Sequence, residues 1–96
     1  MCKILIVDDH PLIAQSLSSI ISDSKIGEVS AIASTAKQCV DLVSAKHFDL
    51  VLLDINLPDG SGLDICKSIS EKHPEIKVLA ITSFNEFTII RKMMEN

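Results

Sequence analysis

Three short segments of this chain carry side chains able to handle a cation or a phosphoryl group: Asp8-Asp9-His10, Asp54-Ile55-Asn56 and Thr82-Ser83. Each follows an apolar run, so if those runs are neighbouring strands of one sheet, three carboxylates and a hydroxyl converge. No Lys or Arg stands at these places. The acids would then repel, and one would be forced to hold a proton unless a cation neutralises them. Oxygen-only donors with room for water favour Mg2+ over an all-protein Ca2+ cage, because Mg2+ dehydrates reluctantly. The plainer reading makes each Asp a helix cap or turn residue. Capping alone accounts poorly for an Asp pair at one strand end and a third Asp closing a neighbouring strand. Asp54 leads into Asn56, Pro58 and Gly60, which reads as an irregular loop.

The elements that must position these groups are legible in the apolar pattern. Ile4-Leu5-Ile6-Val7, Leu50-Val51-Leu52-Leu53 and Val78-Leu79-Ala80-Ile81 are continuous apolar runs, as expected of parallel strands covered on both faces. Glu28 to Ala33 is more polar and suits an edge strand. Between the runs, Ile13/Leu17/Ile20/Ile21, Ala36/Val40/Val43 and Ile65/Ile69 each mark a helix with one buried face. Pro11 fits the first turn of the first helix, Ser34 or Thr35 can cap the second, Ser61 can cap the third, and Pro74 stops it. A further segment, Glu86 to Glu95, places Phe87, Ile90 and Met94 on one stripe and predicts a fourth helix. Strands alternating with helices give an open, doubly wound parallel α/β sheet, whose ligand site lies outside the carboxyl ends of the strands.

Composition narrows the function classes. A chain of 96 residues closes one modest core, and 47% apolar with 23% charged residues is globular. The net charge of −4 lacks the positive footprint of phosphate-backbone binding, so direct nucleic-acid binding by this segment is not expected. No apolar run approaches a membrane span, and four apolar residues before Asp8 are too few for a signal peptide, so a soluble, cytoplasmic protein is expected. Cys2, Cys39 and Cys66 are odd in number and lack a Cys-x-x-Cys spacing, which suggests reduced thiols. Dinucleotide binding fits badly: the first strand-to-helix turn, Asp8-Asp9-His10-Pro11, has no glycine, and Gly60-Ser61-Gly62 is a lone Gly-x-Gly. His10, His47 and His73 form no metal set by spacing, and a cap or loop role suits His10 best. Thr82 standing alone would read as an ordinary strand-end residue; its register with Asp54 raises it.

At this point the segments Val7-Asp8-Asp9-His10-Pro11-Leu12, Leu52 to Gly62 and Leu79-Ala80-Ile81-Thr82-Ser83 resemble the receiver domain of two-component response regulators, along the whole chain. The Asp-Asp-His-Pro-Leu form further resembles the subgroup joined to a LuxR-type helix-turn-helix output domain. The resemblance implies a flavodoxin-like, CheY-like fold. It makes Asp54 the phosphoacceptor, charged by a sensor histidine kinase, with no turnover of its own. Mg2+ would be held by Asp9, Asp54 and the backbone carbonyl of Asn56, and by Asp8 through a metal-bound water. Thr82 would sense the phosphoryl group, and Asn56 and Phe84 would tune its lifetime. Regulation of transcription would then pass through an output domain not in this chain.

The resemblance also implies a fifth strand ending in a phosphate-binding Lys, and a fifth helix, beyond Asn96. Neither Lys77 nor Lys92 stands where that Lys would, so residues 1–96 are expected to be a receiver incomplete at its C-terminus. Without that strand, Val78 to Ile81 is an edge through which a second copy could pair or exchange elements, which sedimentation would reveal. Two other functions compete. A receiver-like adaptor that never takes up phosphate is favoured by the missing Lys and opposed by the intact acids. A Mg2+-dependent phosphohydrolase calls for an Asp-x-Asp strand end and a cap insertion, and neither is present.

Overall fold

The computed structural model describes residues 2–25 and 27–81. Thr82, Phe84 and the helix expected over Glu86 to Glu95, with Lys92 in it, lie outside the described residues. Within them the chain runs β1 (Lys3–Val7), α1 (Pro11–Ser24), β2 (Glu28–Ala33), α2 (Ala36–Ala45), β3 (Leu50–Asp54), β4 (Asn56–Leu57), β5 (Gly60–Ser61), α3 (Gly62–Lys72) and β6 (Lys77–Ile81). Four parallel strands form a sheet in the order β2-β1-β3-β6. The polar β2 takes an outer position, as its composition predicts.

Strand alternation sends side chains to two apolar layers. Leu5 and Val7 of β1, with Val51 and Leu53 of β3, pack with Cys39 and Val43 of α2 and Ile65 and Ile69 of α3. Ile4, Ile6 and Leu52 point the other way, against Ala14 and Ile21 of α1. Phe48, fully buried just before β3, is the largest side chain of the first layer.

Two helix faces differ from the expected ones. Ile20 is 62% and Val40 40% exposed, so neither belongs to a core stripe. On α1 the buried residues are Ala14 and Ile21, seven apart, with Leu17 partly buried between them. Ile20 lies about 100° round the helix from Ile21 and leaves that stripe. On α2 the small residues Ala36 and Cys39 join Val43 against the sheet, turning Val40 outward. Periodicity gave the helices; the size of the contacting residues chose the seam.

The caps follow local chemistry. Thr35 Oγ1 accepts from the Gln38 amide at 3.1 Å, and Gln38 Oε1 accepts from the Ser34 amide at 2.8 Å. Ser61 caps α3 by accepting from the Leu63 amide at 3.2 Å, and Pro11 opens α1. The segment after Asp54 is not the irregular loop expected. Asn56 pairs with Ser61 and Leu57 with Gly60 in a short antiparallel ladder, turned at Pro58-Asp59. Turn residues dominated the sequence signal there, whereas the backbone around them finds its own partners.

Candidate functional site

Sheet register assembles the site. Val7 of β1 lies beside Leu53 of β3, so the residues that follow, Asp8 and Asp54, emerge side by side at the carboxyl edge. The Asp8 amide donates to Ala33 O at 2.9 Å, carrying the pairing with β2 one residue past β1. On the other side Asp54 is paired with Ile81, and the Ile55 amide donates to Ile81 O at 3.2 Å.

Two local turns orient the carboxylates. Asp8 Oδ1 accepts from the His10 amide at 2.8 Å, and Asp54 Oδ1 accepts from the Asn56 amide at 2.9 Å. The loop below Asp54 is held by close approach. The Gly62 amide donates to Ile55 O at 3.0 Å, and a Cβ at Gly62 would stand 2.4 Å from both Asp54 O and Ile55 Cα. Only glycine permits this contact. The sequence offered Gly62 merely as part of a weak Gly-x-Gly, and its packing against the candidate phosphoacceptor is visible only in three dimensions.

The result is one cluster: ligand atoms of Asp8, Asp9, His10 and Asp54 all lie within 4.8 Å of one another. Asp8 and Asp54 are buried, with side chains 3% and 1% exposed, while that of Asp9 is 33% exposed. Asp54 Oδ2 is buried and has no hydrogen-bond partner among the described residues. Burial pushes the Asp54 carboxyl above the ordinary carboxylate range and the Asp8 charge adds to this, against the opposing hydrogen bond from the Asn56 amide. An unsatisfied buried carboxylate oxygen, flanked by two more acids, fits a hard divalent cation in its donor chemistry.

The three predicted aspartates are therefore brought together. Asn56 stands two residues from Asp54, its amide orienting that carboxylate, and Thr82 falls outside the described residues. His10, read from the sequence as a cap or loop residue, does occupy the N-cap position of α1, yet its side chain makes no capping bond. Its Nδ1 lies 2.8 Å from Asp8 Oδ1, 3.2 Å from Asp9 Oδ1 and 3.6 Å from Asp54 Oδ2. The hydrogen bond to Asp8 raises the His10 pKa, and the neighbouring acidic charges add to the rise. Its adjacency to the Asp8-Asp9 pair is the signal in the sequence for this placement.

Comparison with known proteins agrees with this geometry. Residues 4–96 match the response regulator receiver domain family. PilR, a response regulator protein of Pseudomonas aeruginosa, is 40% identical over 85% of this chain and 18% of its own length. The crystal structure of TrrA from Thermotoga maritima in complex with Mg2+ and BeF superposes with a TM-score of 0.81 at 29% identity, covering 91% of this chain and 74% of that one. DrrB from Thermotoga maritima, described as an OmpR/PhoB homologue, gives a TM-score of 0.78 at 32% identity over 99% of this chain and 42% of that one. The chain spans less than half the length of the curated relatives it matches. The matches thus support the receiver domain and do not single out the LuxR-type subgroup. With strand order, acidic cluster and family match in agreement, the chain belongs to the receiver domains of two-component response regulators.

Proposed function

We propose that this chain is the phosphoacceptor module of a two-component pathway, with Asp54 taking a phosphoryl group from a phosphohistidine on a sensor kinase. The observation that carries this reading is Asp54 Oδ2, buried, without a hydrogen-bond partner among the described residues, and facing Asp8 and Asp9. In the transfer, a bond forms between an Asp54 carboxylate oxygen and phosphorus as the phosphorus–nitrogen bond to the kinase breaks; the electron pair leaves with the imidazole. Asp9, Asp54 and the Asn56 carbonyl would hold Mg2+, with Asp8 holding a water on it. The ion supplies charge neutralisation, so that an anionic nucleophile can meet an anionic donor.

The chain's own contribution is positioning. The Asn56 amide fixes Asp54 Oδ1 and so aims Oδ2, while Gly62 fixes the backbone beneath it. Thr82 follows Ile81 of β6 in sequence, and its hydroxyl is the group we assign to sensing the phosphoryl oxygen. The phosphoryl group stays on Asp54, so the module signals and does not turn over as an enzyme. No described helix is long and apolar enough to cross a membrane. The cytoplasmic location belongs to the proposal and rests on the family match. Output would pass to a DNA-binding domain, of the LuxR type by the Asp8-to-Leu12 segment.

Incubation with Mg2+ and a small acyl phosphate, followed by intact mass measurement, tests the reading. An adduct of about 80 Da that Asp54→Asn abolishes is the expected result. No adduct would favour the adaptor, and steady phosphate release a hydrolase.

A further inference from the structure

The Nδ1 nitrogen of His10 stands where three carboxylates converge: 2.8 Å from Asp8 Oδ1, 3.2 Å from Asp9 Oδ1 and 3.6 Å from Asp54 Oδ2. The His10 backbone is held on both sides. Its amide is bonded to Asp8 Oδ1, and Pro11 behind it favours the extended conformation observed, φ −101° and ψ 103°. The direction of the Cα–Cβ bond is thereby set, and side-chain rotation is the motion left to the ring. With its side chain 46% exposed, against 3% for Asp8 and 1% for Asp54, the ring has solvent to turn into while the two buried acids do not.

We infer that the His10 imidazole is an internal competitor for the cation site: it fills the space between Asp8, Asp9 and Asp54, and a divalent cation binds by displacing it outward. The inference rests on the proposed reading of this cluster as a cation site. Two observations carry it beyond the acidic cluster itself. The ring nitrogen satisfies Asp8 by a hydrogen bond but stops short of one to Asp54 Oδ2, which stays buried without a hydrogen-bond partner among the described residues. An occupant that served all three carboxylates would relieve that deficit, so the exchange favours the cation. Further, the His10 ring is the one basic group within 4.0 Å of these three carboxylates among the described residues, which leaves it as their standing partner. His10 thus sets how much free cation the module needs before it can be charged.

The test uses the full chain. MgCl2 is titrated into the parent and into His10→Ala, following the Asp54 and Asn56 amide resonances. Removing the ring should tighten Mg2+ binding roughly tenfold or more, because a hydrogen bond to a charged group no longer has to break. In the parent, the His10 ring 15N signal should move to that of a solvent-exposed imidazole as the amides saturate. Equal affinity in the two chains overturns the inference; weaker binding in His10→Ala overturns it too, and makes the ring a ligand. A ring signal that stays fixed while the amides saturate also overturns it. If neither chain responds to Mg2+, the cation-site reading fails and takes the inference with it; if the parent binds and His10→Ala binds no tighter, the inference alone fails.

Discussion

Asp59 closes helix α2 from outside: its Oδ1 accepts from the Ala36 amide at 2.7 Å, and its Oδ2 accepts from the Lys37 amide at 3.1 Å. Thr35 serves the next amide, so three of the free donors at this helix start are satisfied. Asp59 sits in the turn between β4 and β5, five residues after Asp54. One carboxylate therefore ties the loop beyond the candidate phosphoacceptor to the helix beyond β2.

Removing that tie should loosen both partners. In Asp59→Ala, hydrogen exchange is expected to speed up at the Ala36 and Lys37 amides and along residues 56–61, with a lower unfolding midpoint. The effect depends on pH in a definite direction. The two amides hold the Asp59 carboxyl below the ordinary carboxylate range, that of Ala36 most. A carboxyl depressed on folding contributes stability above its unfolded pKa and loses it as pH falls through the folded value. The gap between parent and Asp59→Ala should thus be full at neutral pH, shrink as pH falls below the ordinary carboxylate range and close once pH passes the folded value.

Gly62→Ala should be among the most costly single changes. The added Cβ would meet Asp54 O and Ile55 Cα at 2.4 Å, and neither is the far end of a flexible side chain. Displacing this backbone should cost about 2–3 kcal/mol in chemical denaturation. It should also slow phosphoryl uptake, since the displaced atoms carry Asp54.

Asp54→Asn should stabilise the fold in the absence of divalent cations. It retains an oxygen for the Asn56 amide and replaces a buried oxygen lacking a partner among the described residues with a donor facing Asp8. Relief of one unsatisfied buried group is worth about 1 kcal/mol, read as a higher denaturation midpoint. Adding Mg2+ should raise the midpoint of the parent and move that of Asp54→Asn far less.

Thiol chemistry gives an independent check of the first core layer. Cys39 is fully buried, and burial pushes its thiol up to about 11, whereas Cys2 and Cys66 are partly exposed. Alkylation of the native chain near neutral pH should stop at two of three cysteines, and the third should react only on unfolding.

What the sequence determined by itself was the set of elements and the chemistry at their ends. Continuous apolar runs specified buried parallel strands, helical spacing specified the covering helices, and Asp8, Asp9 and Asp54 stood where an open α/β sheet places its ligand. These are properties of local pattern and residue type, which a linear chain carries in full. Which face each helix buries was decided by fit: small Ala36 and Cys39 reached the sheet and Val40 did not. The Asp59 tie spans 23 positions, and Gly62 matters because backbone from another segment presses against it. His10 entered the acidic cluster because the Val7–Leu53 register brought Asp8 and Asp54 together beside it. Such relationships exist only between segments that the fold brings together, and packing, not periodicity, chooses among them.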